Sequence, residues 1–267
     1  MTPCVALHTA ARRYCQERIA YWHQRYATLG SPGGGAGWTY SDRHKDVFPR
    51  YNVLDGILVG VERLWPESFN VLPALRNELW SIGQSAQGHG TEGVTDTIQQ
   101  RAMQEERDRF SAFVDTLRSE ELDAVEALPY RRTLLDEESS LIWDRLRQQF
   151  GLSRNPYWYP LQGEAPADTA AFDAEVFHRH VPAVRLQEIL AETGIKRLWE
   201  LREYGPEYEI DLTLLEPIYN GAEGFWTADA MDWLLYASHE STLTLSGTWL
   251  VSRVQAAWPT WREHRVG

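Results

Sequence analysis

Cysteine is almost missing from this chain. Cys4 and Cys15 are its only two among 267 residues. Neither lies in a Cys-x-x-Cys pair or near clustered histidine, so a disulfide framework and a thiolate zinc site are both excluded. Lysine is equally scarce: Lys45 and Lys196 stand against arginine at every other basic position. Such a bias reflects GC-rich coding and points to a bacterial origin. No run approaches the roughly 18 uncharged apolar residues of a membrane span. Arg12, Arg13, Glu17 and Arg18 interrupt the stretch where a secretory leader would be apolar, so a cytoplasmic location is expected. A cofactor motif is missing too. Ser31 to Gly37 is glycine-rich, but a phosphate-binding loop needs a preceding buried strand and a following Gly-Lys-Ser/Thr, and this segment has neither. It reads as a flexible connection, and no cofactor is expected.

What the chain has in quantity is tryptophan and negative charge. Twelve tryptophans, with 43% hydrophobic residues, can bury enough surface to exclude a disordered chain. The net charge is −12, and residues 200 to 240 hold ten carboxylates against the single Arg202. That segment repels nucleic acid and attracts a basic partner.

The first half has helical period. Cys15, Ile19, Trp22, Tyr26 and Leu29 form one stripe that stops at Gly30. Val53, Leu54, Ile57, Leu58, Val61, Leu64 and Trp65 form a second, ended by Pro66 and entered through Phe48-Pro-Arg-Tyr-Asn52, with Asn52 as its expected cap. Leu72, Leu75, Leu79 and Ile82 form a third, and Trp65 and Trp80, on or beside these stripes, are expected in the core. A charged helix over residues 95–118 buries Phe110, Phe113, Val114 and Leu117 and exposes Glu105 to Arg109. A last helix, capped by Asp136, carries Leu141, Ile142, Leu146 and Phe150 and closes at Gly151.

The second half changes period. Pro156-Tyr-Trp-Tyr-Pro160 is extended, and Phe172 to Val181 reads as a strand. Leu198 to Leu212 reads as a hairpin around Gly205-Pro206, with Glu207, Glu209 and Asp211 alternating against Tyr208, Ile210 and Leu212. A further hairpin turns at Ser238 to Ser241, and a final helix carries Trp249 to Trp258. The expected architecture is α+β, an N-terminal helical bundle over residues 1–151 packed against a C-terminal antiparallel sheet with one or two helices over residues 152–267.

Several constellations suggest chemistry. Ser238-His239-Glu240 carries hydrolase residue types, but triad members normally come from separate segments. Turn residues of these kinds commonly bond local backbone. His178 and His180 share a face of the expected strand and would begin a metal site that lacks a third ligand. The carboxylates Glu200, Glu203, Glu207, Glu209, Asp211 and Glu216, set among aromatics, allow a glycosidase pair or a docking face. Docking is the simpler reading: Tyr208, Trp226 and Tyr236 would supply contact energy, with Glu200, Glu203, Glu207, Glu209 and Asp211 steering a basic partner.

Trp233-Leu-Leu-Tyr-Ala-Ser-His-Glu-Ser-Thr-Leu-Thr-Leu-Ser-Gly247, with Trp158-Tyr-Pro-Leu161, resembles segments of uncharacterised bacterial immunity-like proteins that accompany polymorphic or contact-delivered toxins. The likeness covers the C-terminal third; the helical half has no counterpart in it. It implies a cytoplasmic protein that acts by binding and occluding a basic toxin or enzyme, with no catalytic residues. The alternatives are a hydrolase using His239 with nearby carboxylates or a metal at His178 and His180, and a scaffold subunit.

Overall fold

Local capping sets where the first helices begin. Thr2 accepts a hydrogen bond from the Val5 N–H at 3.3 Å and opens α1 (Pro3–Ala27). Ser41 does the same for α2 (Asp42–Glu62), accepting from His44 N–H. The expected cap, Asn52, lies in the middle of α2, and Pro49 lies inside it. Proline withdraws one backbone bond, but Val47, Arg50, Val53 and Leu54 are all buried around it, and that packing holds the helix continuous. The stripe from Val53 onward is therefore only the second part of a longer helix. Helices α3 (Leu72–Ser85), α4 (Thr97–Thr116, capped by Asp96) and α5 (Ser119–Asp123) complete this half.

The computed structural model describes residues 1–30, 33–35, 37–88, 90–91, 93–153, 157–164 and 166–266. They divide into two units, Met1–Leu128 and Pro129–Gly267. In the glycine-rich segment β1 (Gly33–Gly35) pairs antiparallel with β2 (Gly37–Thr39). Ser31, Pro32 and Ala36, on which the flexible connection was expected, lie outside the described residues.

The first unit packs Leu7, Cys15, Leu54, Ile57, Leu75, Leu79, Phe110 and Val114 into one core. A Cβ on Gly88 would lie 1.8 Å from the Asn52 carbonyl oxygen, so only glycine lets the segment after α3 rest on α2. Two expectations fail. Trp65 and Trp80, read as core, are each 48% exposed. Glu106, read as solvated, is fully buried. Its carboxylate accepts from Arg18 (3.0 Å), Arg50 (3.2 Å) and Arg109 (2.6 Å), and Arg50 also meets Asp46 and Glu105, both at 2.8 Å. The Arg18 and Arg50 guanidiniums lie over the Trp22 ring at 5.3 and 4.8 Å. The helical period of α4 places Glu106 on the same side as Ala102, Met103 and Phe110, so it must be buried, and it is tolerated there because arginines meet it.

The second unit is α+β. Its sheet runs in the order β10 (Arg265–Val266), β4 (Thr169–Asp173), β9 (Thr242–Ser246), β8 (Leu234–Ala237), β7 (Gly224–Thr227), β5 (Arg197–Arg202), β6 (Tyr208–Asp211) and β3 (Arg131–Thr133), antiparallel throughout. Alternation sends Trp226, Leu235, Ala237, Leu243 and Leu245 to a face covered by α7 (Ala174–His180), α8 (Ala183–Ala191) and α9 (Thr248–Ala257). Leu201, Phe225, Leu234 and Tyr236 go to the other, under Trp158 and α6 (Asp136–Phe150).

The boundary thus falls at Leu128/Pro129 and not at 151. Ile142 and Leu146 of α6 pack on the sheet, and β3 pairs with β6, so both belong with the strands. Leu135, not Asp136, holds the cap position of α6, and Leu141 is exposed; Gly151 does close the helix in the left-handed region, at φ 66°. Phe172 to Val181 is a strand only as far as Asp173, whose side chain accepts from Val176 N–H and starts α7.

Removing Glu106 leaves Arg50 buried without its central partner. Glu106→Ala is expected to lower stability by about 3–5 kcal/mol, whereas Arg101→Ala, at an exposed ion pair, costs under about 1 kcal/mol. Urea unfolding of both variants checks this, and equal effects would refute a central role for Glu106.

Candidate functional site

The aromatic members of the expected docking face are in the interior. Trp226 is 1% exposed, Tyr236 is fully buried and Tyr208 is buried. The sequence pattern assumed one covered face, but β7 and β8 lie mid-sheet with both faces covered, so successive residues are buried alike. Most of the carboxylates are also engaged. Glu200 pairs with Arg202. Glu207 accepts from Trp143 Nε1 at 2.5 Å and from the Ser139 hydroxyl, tying α6 to the β5–β6 turn. Glu209 accepts from the Tyr130 hydroxyl at 2.9 Å and meets Arg132 and Arg197. Asp211 accepts from Thr213 N–H at 2.9 Å. Of the expected set, Glu203 and Glu216 meet neither an arginine or lysine nor a hydrogen-bond donor through their carboxylates among the described residues.

His178 and His180 lie on the short helix α7, where two residues apart means different faces. His178 Nε2 lies 3.2 Å from the Pro217 carbonyl oxygen, and burial lowers its pKa. His180 stacks on Trp258 at 4.8 Å. Among the described residues no three His, Cys, Asp or Glu side chains are placed to hold a metal ion. Ser238 is buried, its hydroxyl 2.7 Å from that of Thr242, so it braces the hairpin and does not face His239.

His239 itself meets a residue that sequence reasoning did not single out. Glu223, just before β7, is 1% exposed, and its Oε1 accepts from both the His239 backbone N–H (3.1 Å) and the imidazole Nδ1. The register explains the meeting: Gly224 pairs with Ala237, which puts Glu223 at the level of the β8–β9 turn. Its other oxygen is buried and lies toward the buried Tyr236 hydroxyl. Burial, then Glu223, pushes the Tyr236 pKa well above its ordinary value.

The imidazole is 41% exposed and faces outward among aromatic rings. Tyr157 lies 5.5 Å and Tyr219 6.4 Å from it, centroid to centroid, tilted by 58° and 62°. Glu240 Oε1 is 3.6 Å from Nε2. Glu203 and Tyr204, both in the β5–β6 connection, border the same cluster. They also border a cleft of about 390 Å³ whose other walls include Ser139, Trp143, Arg147 and Glu207. Glu223 carried no usable signal, being one acid beside a continuous apolar run. Tyr157, Tyr204 and Tyr219 come from three segments that only the fold brings together.

The hydrogen bond to the Glu223 carboxylate raises the His239 pKa above 6.5, with Glu240 and Glu203 adding to it. A raised folded-state value means the tie stabilises the fold fully below the ordinary imidazole pKa and loses this contribution as pH rises through the raised value. Glu223→Gln is expected to move the His239 titration, followed by NMR, down toward the ordinary range and to flatten that part of the stability–pH curve. An unshifted titration would refute the tie.

No family model matches the chain, and neither a curated protein nor a solved structure matches it.

Proposed function

We propose that this chain is a binding protein whose second unit receives a basic protein partner on the surface around His239. One observation carries the reading. Among the carboxylates of residues 200 to 240, those that pair with arginine or bond a neighbouring donor are spent on the fold, while Glu203, Glu216 and Glu240 meet no arginine or lysine among the described residues. Of these, Glu203 and Glu240 lie near His239, beside the exposed ring of Tyr219, and Tyr204 neighbours Tyr219; the two tyrosines are 59% (Tyr204) and 41% (Tyr219) exposed. Unneutralised acids steer a cationic partner, and tyrosine supplies contact area at low entropic cost. The docking role expected from sequence thus moves from Trp226 and Tyr236 to Tyr204 and Tyr219. The C-terminal resemblance to immunity-like proteins suggests a toxin or enzyme as the partner, and the cytoplasm as the place of the encounter.

A second reading, a hydrolase, is favoured by the Glu223–His239 dyad, in which a buried carboxylate orients an imidazole whose other nitrogen faces outward. No described hydroxyl or thiol is hydrogen-bonded to that imidazole, so His239 would act on water. It predicts hydrolytic activity that His239→Ala abolishes.

The binding reading is tested by mixing the purified chain with the products of genes adjacent to its own. A complex with a basic protein is expected, weakening as salt rises from about 0.05 to 0.5 M. The double variant Glu203→Gln/Glu240→Gln should weaken it about tenfold or more, a loss of about 1.4 kcal/mol, and Glu188→Gln, outside the cluster, should not. No complex at low or moderate salt, or one indifferent to the double variant, overturns the reading.

A further inference from the structure

We infer that the surface at His239 is a slot for one arginine side chain of the partner, seated against the rings of Tyr157 and Tyr219 and opposed by Glu203 and Glu240. This rests on the binding reading and makes it more specific.

Ring geometry and charge together favour a guanidinium at this surface. Tyr157 and Tyr219 both flank the imidazole, their planes tilted to it by 58° and 62°. Carboxylates from three segments lie near the imidazole: Glu203 just after β5, Glu240 in the β8–β9 turn and Glu223 at the Nδ1 edge of the ring. Aromatic faces carry negative potential and attract a cation. A guanidinium suits them better than an ammonium, being planar, weakly hydrated and able to stack while donating to a carboxylate. The protein already uses this pairing internally, with Arg197 over Tyr130 at 3.6 Å and Arg131 over Tyr208 at 3.8 Å.

His239 makes the slot sensitive to pH. The groups facing it are Glu223, Glu240 and Glu203 and the rings of Tyr157 and Tyr219. Protonated, it places a positive charge where the guanidinium would sit; neutral, it offers a third aromatic face. Arginine binding should therefore strengthen as pH rises through the His239 titration.

The test uses the full chain and three short peptides, identical but for a central arginine, lysine or citrulline, followed by NMR of the tyrosine and histidine side chains. The arginine peptide is expected to shift Tyr157, Tyr219 and His239 with at least about tenfold higher affinity than the uncharged citrulline peptide, with lysine between them. Tyr219→Ala should abolish the shifts, Tyr219→Phe should retain them, and His239→Gln should remove the pH dependence. Equal binding of arginine and citrulline peptides, or shifts that survive Tyr219→Ala, overturns the slot. A basic protein that still binds the Tyr219→Ala variant at full strength would also overturn it, while leaving the broader binding reading intact.

Discussion

Burial of β7, β8 and β9 on both faces is the constraint on which the second unit depends. Every residue of these three strands is buried, so each side chain must fit either the layer of α7, α8 and α9 or the layer of α6 and Trp158. That requirement consumes the large aromatics. Phe225 stacks on Tyr236 at 4.7 Å on one side, while Trp226 and Trp233 fill the other. Polar function is left to the strand ends, where the β5–β6 connection, the β8–β9 turn and the segment holding Tyr157 come together.

Charge obeys a related rule in both units. A carboxylate drawn inward by its element acquires donors or is not tolerated. Glu106 has three arginines, and Glu62 has Arg12 at 3.1 Å. Glu207 and Glu209 are pinned by residues of α6 and β3. Glu223 follows the rule with a titratable partner, and among the described residues it is the one case in which the buried acid reaches the surface through a ring.

Much of this fold was legible in the chain because period reports burial directly. The Cys15–Leu29, Leu72–Ile82 and Phe110–Val114 stripes, the two hairpins and the final helix are where spacing puts them. Three kinds of misreading have separate causes. Pro49 broke the pattern of α2 in sequence but not in space. Trp65 and Trp80 continued apolar stripes and yet face outward, because period marks a side of a helix and not what covers it. The acidic hairpin looked like a solvated face because alternation shows that Glu207 and Glu209 share a side but not that α6 and β3 approach that side. The site was half legible: His239 stood out as an ionisable group in a turn, whereas its partner Glu223 depends on the register of β7 against β8.

One oxygen of Glu223 holds both the main chain and the ring of His239. A surface histidine usually samples several rotamers, and a partner that uses it must first freeze them. Here the bond to Glu223 already restrains the ring in the free protein. A group that docked there as proposed would meet a side chain held against the sheet and would have less of it left to order.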